Sequence, residues 1–208
     1  MVRRTREDAQ VTREAILDAA QRVFLARGVS RTSLEQIARE AGVTRGAIYW
    51  HFKDKSDLFS AMLERVRLPL SDLADAYRQG GGRRDPLGML EKLCGLALTK
   101  LDASETYRKV YIILMTRCEF AGEMNPAFER QLEIDRDNLR KVEQDFVEAR
   151  ELGQLAPHVD PRIATLTLYS LMHGIYQSWL RTPQSYDIRT DGAAMLRLFF
   201  TGLRATGH

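Results

Sequence analysis

The stretch from Gly42 to Lys55 constrains the fold more than any other part of this sequence. Gly42 can end one helix, Thr44 can cap a second helix of about two turns, and Asp54 can cap a third. The apolar face of the short middle helix consists of Ala47, Ile48 and Phe52. Its opposite face carries, at spacing i, i+1, i+4 and i+5, Arg45, Gly46, Tyr49 and Trp50. A globular helix seldom exposes this combination, so the face indicates contact with another molecule.

Two further helices precede this stretch. Thr12 can cap a helix that ends at Gly28, and Thr32-Ser33-Leu34-Glu35 has the T-x-x-E form of a capping box. The helix that it starts stops at Gly42. A supporting helix followed by two helices that a tight turn joins is the helix-turn-helix arrangement. In this arrangement the last helix lies in the major groove of DNA. A constitutive DNA binder without sequence preference remains an open alternative to a sequence-specific regulator.

The charge is unevenly distributed along the 208 residues. Residues 1–55 hold 11 basic and 7 acidic side chains, whereas the remainder holds 20 and 21. We therefore predict a DNA-binding domain over residues 1–54 and a second domain over residues 55–208. The polar start, with Arg3, Arg4 and Arg6, is either a frayed terminus or a basic arm that touches phosphate or the minor groove.

The rest of the chain also has helical patterns, and no stretch alternates as a half-buried strand does. We expect an all-α fold of about nine helices, broken most clearly by a loop over Gly80–Pro86. The expected later helices cover about residues 55–78, 87–102, 104–121, 126–152, 161–180 and 189–204.

Several functional classes are excluded by what the sequence lacks. Cys94 and Cys118 fit no metal-ligand spacing, and no nucleophile–base motif or phosphate-binding glycine loop is present. The run from Ala164 to Leu180 is too short and too polar to span a membrane. Without a signal peptide, the two cysteines indicate a reducing, cytoplasmic location. We expect no enzyme, no catalytic residue, no metal and no cofactor.

The predicted DNA contacts divide by residue type. Arg45 can bind the O6 and N7 atoms of guanine, and Gly46 lets the backbone approach the groove. Tyr49, Trp50 and His51 are assigned mainly to phosphates, although packing of Trp50 and His51 within the domain remains open. The expected backbone-binding residues are Thr32, Ser33, Thr44, Lys53 and Lys55.

One short helix reads few base pairs, so useful specificity requires a homodimer on a palindromic operator of double-stranded DNA. The last two helices, over 163–180 and 193–203, are apolar on more than one face. We predict that they form the dimer interface. Deep burial of both helices within a monomer is the alternative.

Residues 42–59, GVTRGAIYWHFKDKSDLF, resemble the signature of the TetR family of one-component transcriptional regulators, and in particular its AcrR/TtgR-like branch of multidrug efflux pump repressors. The strong match covers about residues 12–63. The resemblance implies a ligand-responsive repressor of an efflux operon, released by hydrophobic, aromatic or cationic small molecules. A TetR-type repressor or activator of an unrelated metabolic or stress pathway remains open.

The effector site is predicted partly from residue pattern. Asp135 interrupts an apolar stripe, Asn138 follows it, and His173 is an isolated titratable group. One interpretation is that these residues are polar groups of an apolar cavity. The other is that they form a salt bridge between helices or face solvent. The resemblance implies a hydrophobic pocket lined by Leu93, Cys94, Ala97, Tyr111, Met115, Asn138, Val142, Met172, His173 and Tyr176. The helix over 55–78 is expected to link this pocket to the DNA-binding domain.

Overall fold

The computed structural model describes residues 6–79, 85–119 and 122–205. Within these ranges the chain is almost entirely helical and has no β-strand, which confirms the all-α prediction; Leu155 and Arg204 form one isolated antiparallel bridge. The ten α-helices of the described residues are α1 Arg6–Arg27, α2 Leu34–Glu40, α3 Arg45–His51, α4 Lys55–Val66, α5 Leu70–Gln79, α6 Pro86–Ala103, α7 Glu105–Ile112, α8 Asn125–Glu151, α9 Pro161–Arg181 and α10 Ala193–Leu203. Three short segments complete the helices: π-helical Ile113–Arg117, 3₁₀-helical Gly122–Met124 and π-helical Ile188–Gly192.

The chain folds into two compact units. The first comprises the described residues of Met1–Arg67 and Thr106–Leu132, and thus contains α1 to α4 and α7. Its core is aromatic and aliphatic because α1, α2 and α4 each bury one apolar face; the rings of Phe24 and Phe59 lie 6.2 Å apart. Residues 106–132 therefore complete the unit that carries the predicted DNA-binding helices.

The second unit comprises the described residues of Leu68–Glu105 and Glu133–His208. Its fully or almost fully buried side chains include Leu98, Leu101, Phe146, Ile188 and Phe200. The Ile188–Gly192 turn approaches α6 closely, since a Cβ atom on Gly192 would lie 3.0 Å from Leu98 Cδ1.

An ion pair joins α5 to α8 in the second unit. Arg78 Nη2 donates to Asp145 Oδ1 at 2.6 Å, and Arg78 Nη1 donates to the exposed Asp75 at 2.9 Å. Burial raises the pKa of the Asp145 carboxyl, and the adjacent Arg78 guanidinium offsets only part of that effect.

Left-handed glycines end the first two helices as predicted. Gly28 has φ +81° and Gly42 has φ +68°, a region that residues with a Cβ atom rarely occupy. The predicted caps of α3 and α4 are also confirmed, because Thr44 accepts from the Ala47 amide and Asp54 accepts from the Asp57 amide.

Two predicted helix starts are wrong. Helix α1 already includes Arg6 instead of starting after Thr12, whose hydroxyl donates to the Asp8 carbonyl inside the helix. The capping box of α2 is shifted by one residue: Ser33 is the N-cap, and its partner is Gln36. Thr32 is not the cap; its buried hydroxyl donates instead to the Gly28 carbonyl, which closes the preceding turn.

The predicted helices over 55–78 and 104–121 are also wrong in extent. The first is two helices, α4 and α5, since Pro69 lacks the amide that a continuous helix requires and disfavours helical geometry at the residue before it. The second ends at Arg117, whose carbonyl accepts from the Val29 amide at 2.9 Å, and Cys118 is extended. The predicted arm of Arg3 and Arg4 and the loop from Gly80 to Arg84 lie outside the described residues.

Candidate nucleic-acid interface and effector site

Helix α3 packs against the first unit through one face and leaves its other face open. Ile48 is fully buried and Phe52 nearly so, which fixes α3 against the rest of the first unit. The other face is open, because Arg45, Gly46 and Tyr49 are all exposed. The predicted division of this helix into a core face and a free face is therefore what the structure contains.

Trp50 is 72% exposed, although tryptophan is usually among the more buried residues. Its ring meets the ring of the half-buried His51 edge-on at 4.6 Å between centroids, and His51 lies in turn 6.2 Å from Phe52. Packing of Trp50 in the protein interior, one alternative left by the sequence, is thus not observed. An exposed tryptophan on the same helix as an exposed arginine is suited to contact with sugar and phosphate.

Gly46 has no close neighbour that would require glycine. A Cβ atom at this position would lie 4.0 Å from Thr44 Oγ1, an ordinary van der Waals distance, and the backbone is helical. The fold therefore tolerates a side chain here. The open surface is consistent with close approach of a partner molecule.

Glu35, in the first turn of α2, contacts two residues of the free face of α3. Its Oε1 atom lies 3.4 Å from Arg45 Nε and accepts from the Tyr49 hydroxyl at 3.2 Å. The Arg45 guanidinium carbon lies 5.7 Å from the centre of the Tyr49 ring. Hydrogen bonds from its own backbone amide, from Ser33 and from Tyr49 lower the pKa of the Glu35 carboxyl, so it is an anion at neutral pH. The sequence pattern indicates only a capping-box role for Glu35.

The predicted phosphate-binding residues fall into two groups. Ser33, Thr44 and Lys53 are exposed at the ends of α2 and α3 or just beyond them. Thr32 and Lys55 are buried.

Lys55 is only 5% exposed, and its ammonium group has protein partners. Nζ donates to the Thr32 carbonyl at 2.8 Å and to the Ser30 carbonyl at 3.4 Å, and it lies 2.6 Å from a carboxylate oxygen of Glu123. Three partners match the three donors of an ammonium group. Lys55 thus ties the start of α4 to the turn before α2 and to the 3₁₀ segment Gly122–Met124.

The segment that follows α6 is attached to the DNA-binding helices at further points. Gln21 on α1 donates to the Thr106 carbonyl at 3.0 Å, and the Val29 amide donates to the Arg117 carbonyl. These contacts could not be predicted from the sequence, because a backbone carbonyl carries no residue-specific signal. Tyr111, a predicted effector residue, lies in the same segment and stacks on Tyr107 at 4.6 Å between ring centres.

The predicted effector residues are divided between the units. Tyr111 and Met115 belong to the first unit and the others to the second. On α6, Ala97 is buried, and Leu93 and Cys94 are half-buried. Burial raises the pKa of the Cys94 thiol to about 12, so the thiol is neutral. Elsewhere, Val142 and Met172 are half-buried and Tyr176 is buried.

Two polar candidates of the second unit, Asp135 and His173, are connected through Tyr169. Asp135 is half-buried and accepts a hydrogen bond from Tyr169. The Tyr169 ring stacks on the His173 ring, with 6.3 Å between the ring centroids. Burial, followed by the charge of Asp135, raises the pKa of the Tyr169 hydroxyl. His173 and Asn138 are exposed. Tyr169 is not among the predicted site residues, although its i, i+4 spacing from His173 on α9 is a usable signal.

Helices α9 and α10 expose large apolar side chains. The most exposed is Leu198 at 78%, and the others are Ile163, Leu166, Tyr169 and Met195. Their opposite faces are buried in the second unit, as Trp179 and Phe200 illustrate. Both helices are therefore apolar on two sides, as predicted from their sequences.

Two negative observations apply to the described ranges alone. No group of three or more His, Cys, Asp or Glu side chains in residues 6–79, 85–119 and 122–205 could hold a metal ion. None of the helices described there combines the length and the apolar character that crossing a membrane requires.

Comparison with known protein families agrees with this geometry. Residues 16–62 match the family described as bacterial regulatory proteins, tetR family. Residues 85–204 match the C-terminal region of the MAATS-type transcriptional repressors. The second match by itself covers more than half of the chain.

Three individual proteins are similar over nearly their whole length. AcrR of Shigella flexneri, an HTH-type transcriptional regulator, is 38% identical over 191 residues, which are 92% of this chain and 88% of that protein. The crystal structure of NalD, the secondary repressor of the MexAB-OprM multidrug efflux pump in Pseudomonas aeruginosa, has a TM-score of 0.88 at 44% identity, covering 96% and 98% of the two chains. The complex of SmeT with triclosan has a TM-score of 0.81 at 35% identity, covering 95% and 93%; SmeT is the repressor of the Stenotrophomonas maltophilia multidrug efflux pump SmeDEF.

These matches confirm the resemblance read from residues 42–59, and they identify a regulator and not an enzyme. The chain belongs to the TetR family of bacterial regulatory proteins, and it is a DNA-binding transcriptional repressor whose C-terminal region is of the MAATS type.

Proposed function

We propose that this protein represses a multidrug efflux operon and that hydrophobic, aromatic or cationic small molecules release it from its operator. The observation that carries DNA recognition is the free face of α3, where Arg45, Tyr49 and Trp50 are exposed together. The efflux assignment is supported by the similarity to NalD and SmeT over nearly the full length of each chain.

The proposed DNA contacts follow from residue type and exposure. Arg45 binds guanine in the major groove, Gly46 allows close approach, and Tyr49, Trp50 and His51 hold sugar and phosphate. Ser33, Thr44 and Lys53 add phosphate contacts. Thr32 and Lys55 support these contacts from inside the unit, because their polar groups bond to protein atoms. Residues 1–54 are the proposed DNA-binding domain, and a cytoplasmic location follows from the target.

The operator is proposed to be palindromic and the protein a homodimer formed by α9 and α10. Exposed apolar residues on both helices support this interface, since monomers seldom leave contiguous apolar surface uncovered. A two-fold dimer presents two copies of α3 to successive turns of one DNA face. Residues 55–208 are therefore the proposed ligand-binding and dimerisation domain.

The effector is proposed to bind the predicted pocket residues, with Asp135 and Tyr169 as polar anchors for a cation or a hydroxyl group. The SmeT complex supports this class of ligand, because triclosan is a small chlorinated aromatic phenol. Release requires that effector and DNA favour different conformations. A coupling of about 1–3 kcal/mol changes operator affinity about 5–150-fold.

The test is a binding titration on the DNA upstream of its own gene. We expect the full chain to protect a palindromic sequence there, and triclosan or tetraphenylphosphonium to weaken binding within about 5–150-fold. Arg45→Ala is the control that should lose operator affinity while keeping its melting temperature. Operator affinity unchanged by either compound would refute effector release, and binding equal to that of random DNA would refute the repressor itself.

A further inference from the structure

Glu35 places a carboxylate on the surface that faces DNA. The negative charge repels phosphate, so on electrostatic grounds alone this position disfavours binding. Its ion pair with Arg45 adds little to folding, because both side chains are exposed and such pairs are weak. Its position in the first turn of α2 favours the helix, but helix stability needs no contact with α3, so the carboxylate requires a further explanation.

The contacts of Glu35 supply one. A single oxygen, Oε1, meets both Arg45 Nε and the Tyr49 hydroxyl, and the Arg45 guanidinium lies against the Tyr49 ring. Ser33 and the backbone amide of Glu35 fix the carboxylate in turn. Because the ion pair uses Nε, the two Nη groups of Arg45 can still bind guanine O6 and N7 together.

We propose that Glu35 determines specificity by orienting Arg45 toward base edges and by keeping it from acting as a general phosphate ligand. The inference rests on the proposed reading of DNA by α3. Without Glu35, an arginine whose side chain is 74% exposed samples many conformers and pairs with any phosphate within reach. Glu35 is thus a positioning residue. It lowers the affinity of the protein for all DNA and increases discrimination between the operator and other sequences.

The chain contains a matched control. Glu40 lies at the end of the same helix, is exposed, and pairs with Arg22 at 2.9 Å instead of with α3. Glu35→Gln and Glu40→Gln remove the same charge from α2. Only the first removes the anionic partner of Arg45, and the amide oxygen of glutamine at position 35 can still accept from Tyr49.

The experiment compares the DNA fragment protected by the wild-type protein with a random duplex of equal length, across a series of salt concentrations. We expect Glu35→Gln to tighten binding to random DNA and to lower the ratio of operator to random affinity by about 10-fold. Glu40→Gln should change both affinities equally and leave the ratio unchanged. Equal ratios for the two variants would overturn the proposal, because charge alone would then explain Glu35.

A double-mutant cycle separates positioning from direct reading of a base by Glu35. If Glu35 acts through Arg45, Glu35→Gln causes no further loss of discrimination in an Arg45→Ala background. Additive losses would overturn the proposal. Failure of the proposed function looks different, since the wild-type protein itself would then not distinguish operator from random DNA.

Discussion

Gly46 shows how one residue separates the requirements of folding from those of binding. Glycine costs a helix up to about 1 kcal/mol relative to alanine, and no neighbouring atom in the described structure requires its small size. Its position between Arg45 and Ala47 on the free face of α3 instead allows a groove wall to approach the backbone.

We therefore expect Gly46→Ala to raise the melting temperature and to weaken operator binding by about 10-fold, because the added methyl group must displace the helix from the groove. Thermal melting and DNA titration measure the two effects. Gly95→Ala on α6, where a Cβ atom would also meet no neighbour, should raise the melting temperature without changing DNA affinity. Wild-type affinity in Gly46→Ala would show that the glycine does not contact DNA.

At the scale of elements, the Arg78–Asp145 pair joins α5 to α8 through a carboxylate that burial disfavours. The raised pKa of Asp145 means that the folded state binds its proton more tightly than the unfolded state does. The free energy of unfolding therefore decreases as pH rises from the ordinary carboxyl pKa through the folded one.

Asp145→Asn should consequently be neutral or stabilising at pH 7, because the amide oxygen can still accept from Arg78 and no buried charge remains. The gain relative to wild type should disappear in acid, where Asp145 is protonated. Urea unfolding at several pH values measures this difference in the free energy of unfolding. Asp75→Asn, which alters the exposed partner of the same arginine, should have little effect at any pH. A strongly destabilised Asp145→Asn would show that attraction outweighs desolvation.

Local signals account for the elements that the sequence predicts correctly. The caps at Thr44 and Asp54 and the left-handed Gly42 act within a few residues, so the short α3 and its two faces can be predicted from one stretch of chain. The end of the helical segment at Arg117 depends on a tertiary hydrogen bond, which a linear pattern does not contain. The choice of Ser33 over Thr32 depends on the burial of Thr32, whose hydroxyl donates back to the Gly28 carbonyl.

The same distinction applies to the candidate site. Exposure of Arg45 and Trp50 follows from the helical period, and it is observed. The contacts of Lys55 with Ser30, Thr32 and Glu123 join three separate parts of the chain. Lysine at this position gives no indication in the sequence that it is buried, so its side chain could be located only once these segments were seen together.

At the scale of the whole molecule, the proposed repressor depends on pairing two copies of α3. Leu198 is the most exposed large apolar residue of α10, and α9 exposes Ile163 and Leu166. Each copy alone contacts too few base pairs for specific binding at cellular salt concentration.

Leu198→Glu should yield a folded monomer, since the side chain is exposed in the chain itself and a charge in a dimer interface is costly. Sedimentation measures the mass, and operator affinity should fall by at least about 100-fold with the dimer. Leu96→Glu on α6, another exposed leucine, is the control that should remain dimeric. A dimeric Leu198→Glu would exclude α10 from the interface.

The bond from the Val29 amide to the Arg117 carbonyl has a consequence for synthesis. The first compact unit uses residues up to Leu132, so its N-terminal helices leave the ribosome well before the segment that completes them. At a synthesis rate of about 5–20 residues per second, the delay between these helices and that segment is several seconds. During that interval the nascent helices lack the Arg117 carbonyl that accepts from Val29 and the Glu123 carboxylate that contacts Lys55, and a chain released early would lack both. A truncated product of this gene is therefore poorly equipped to occupy the operator in place of the complete repressor.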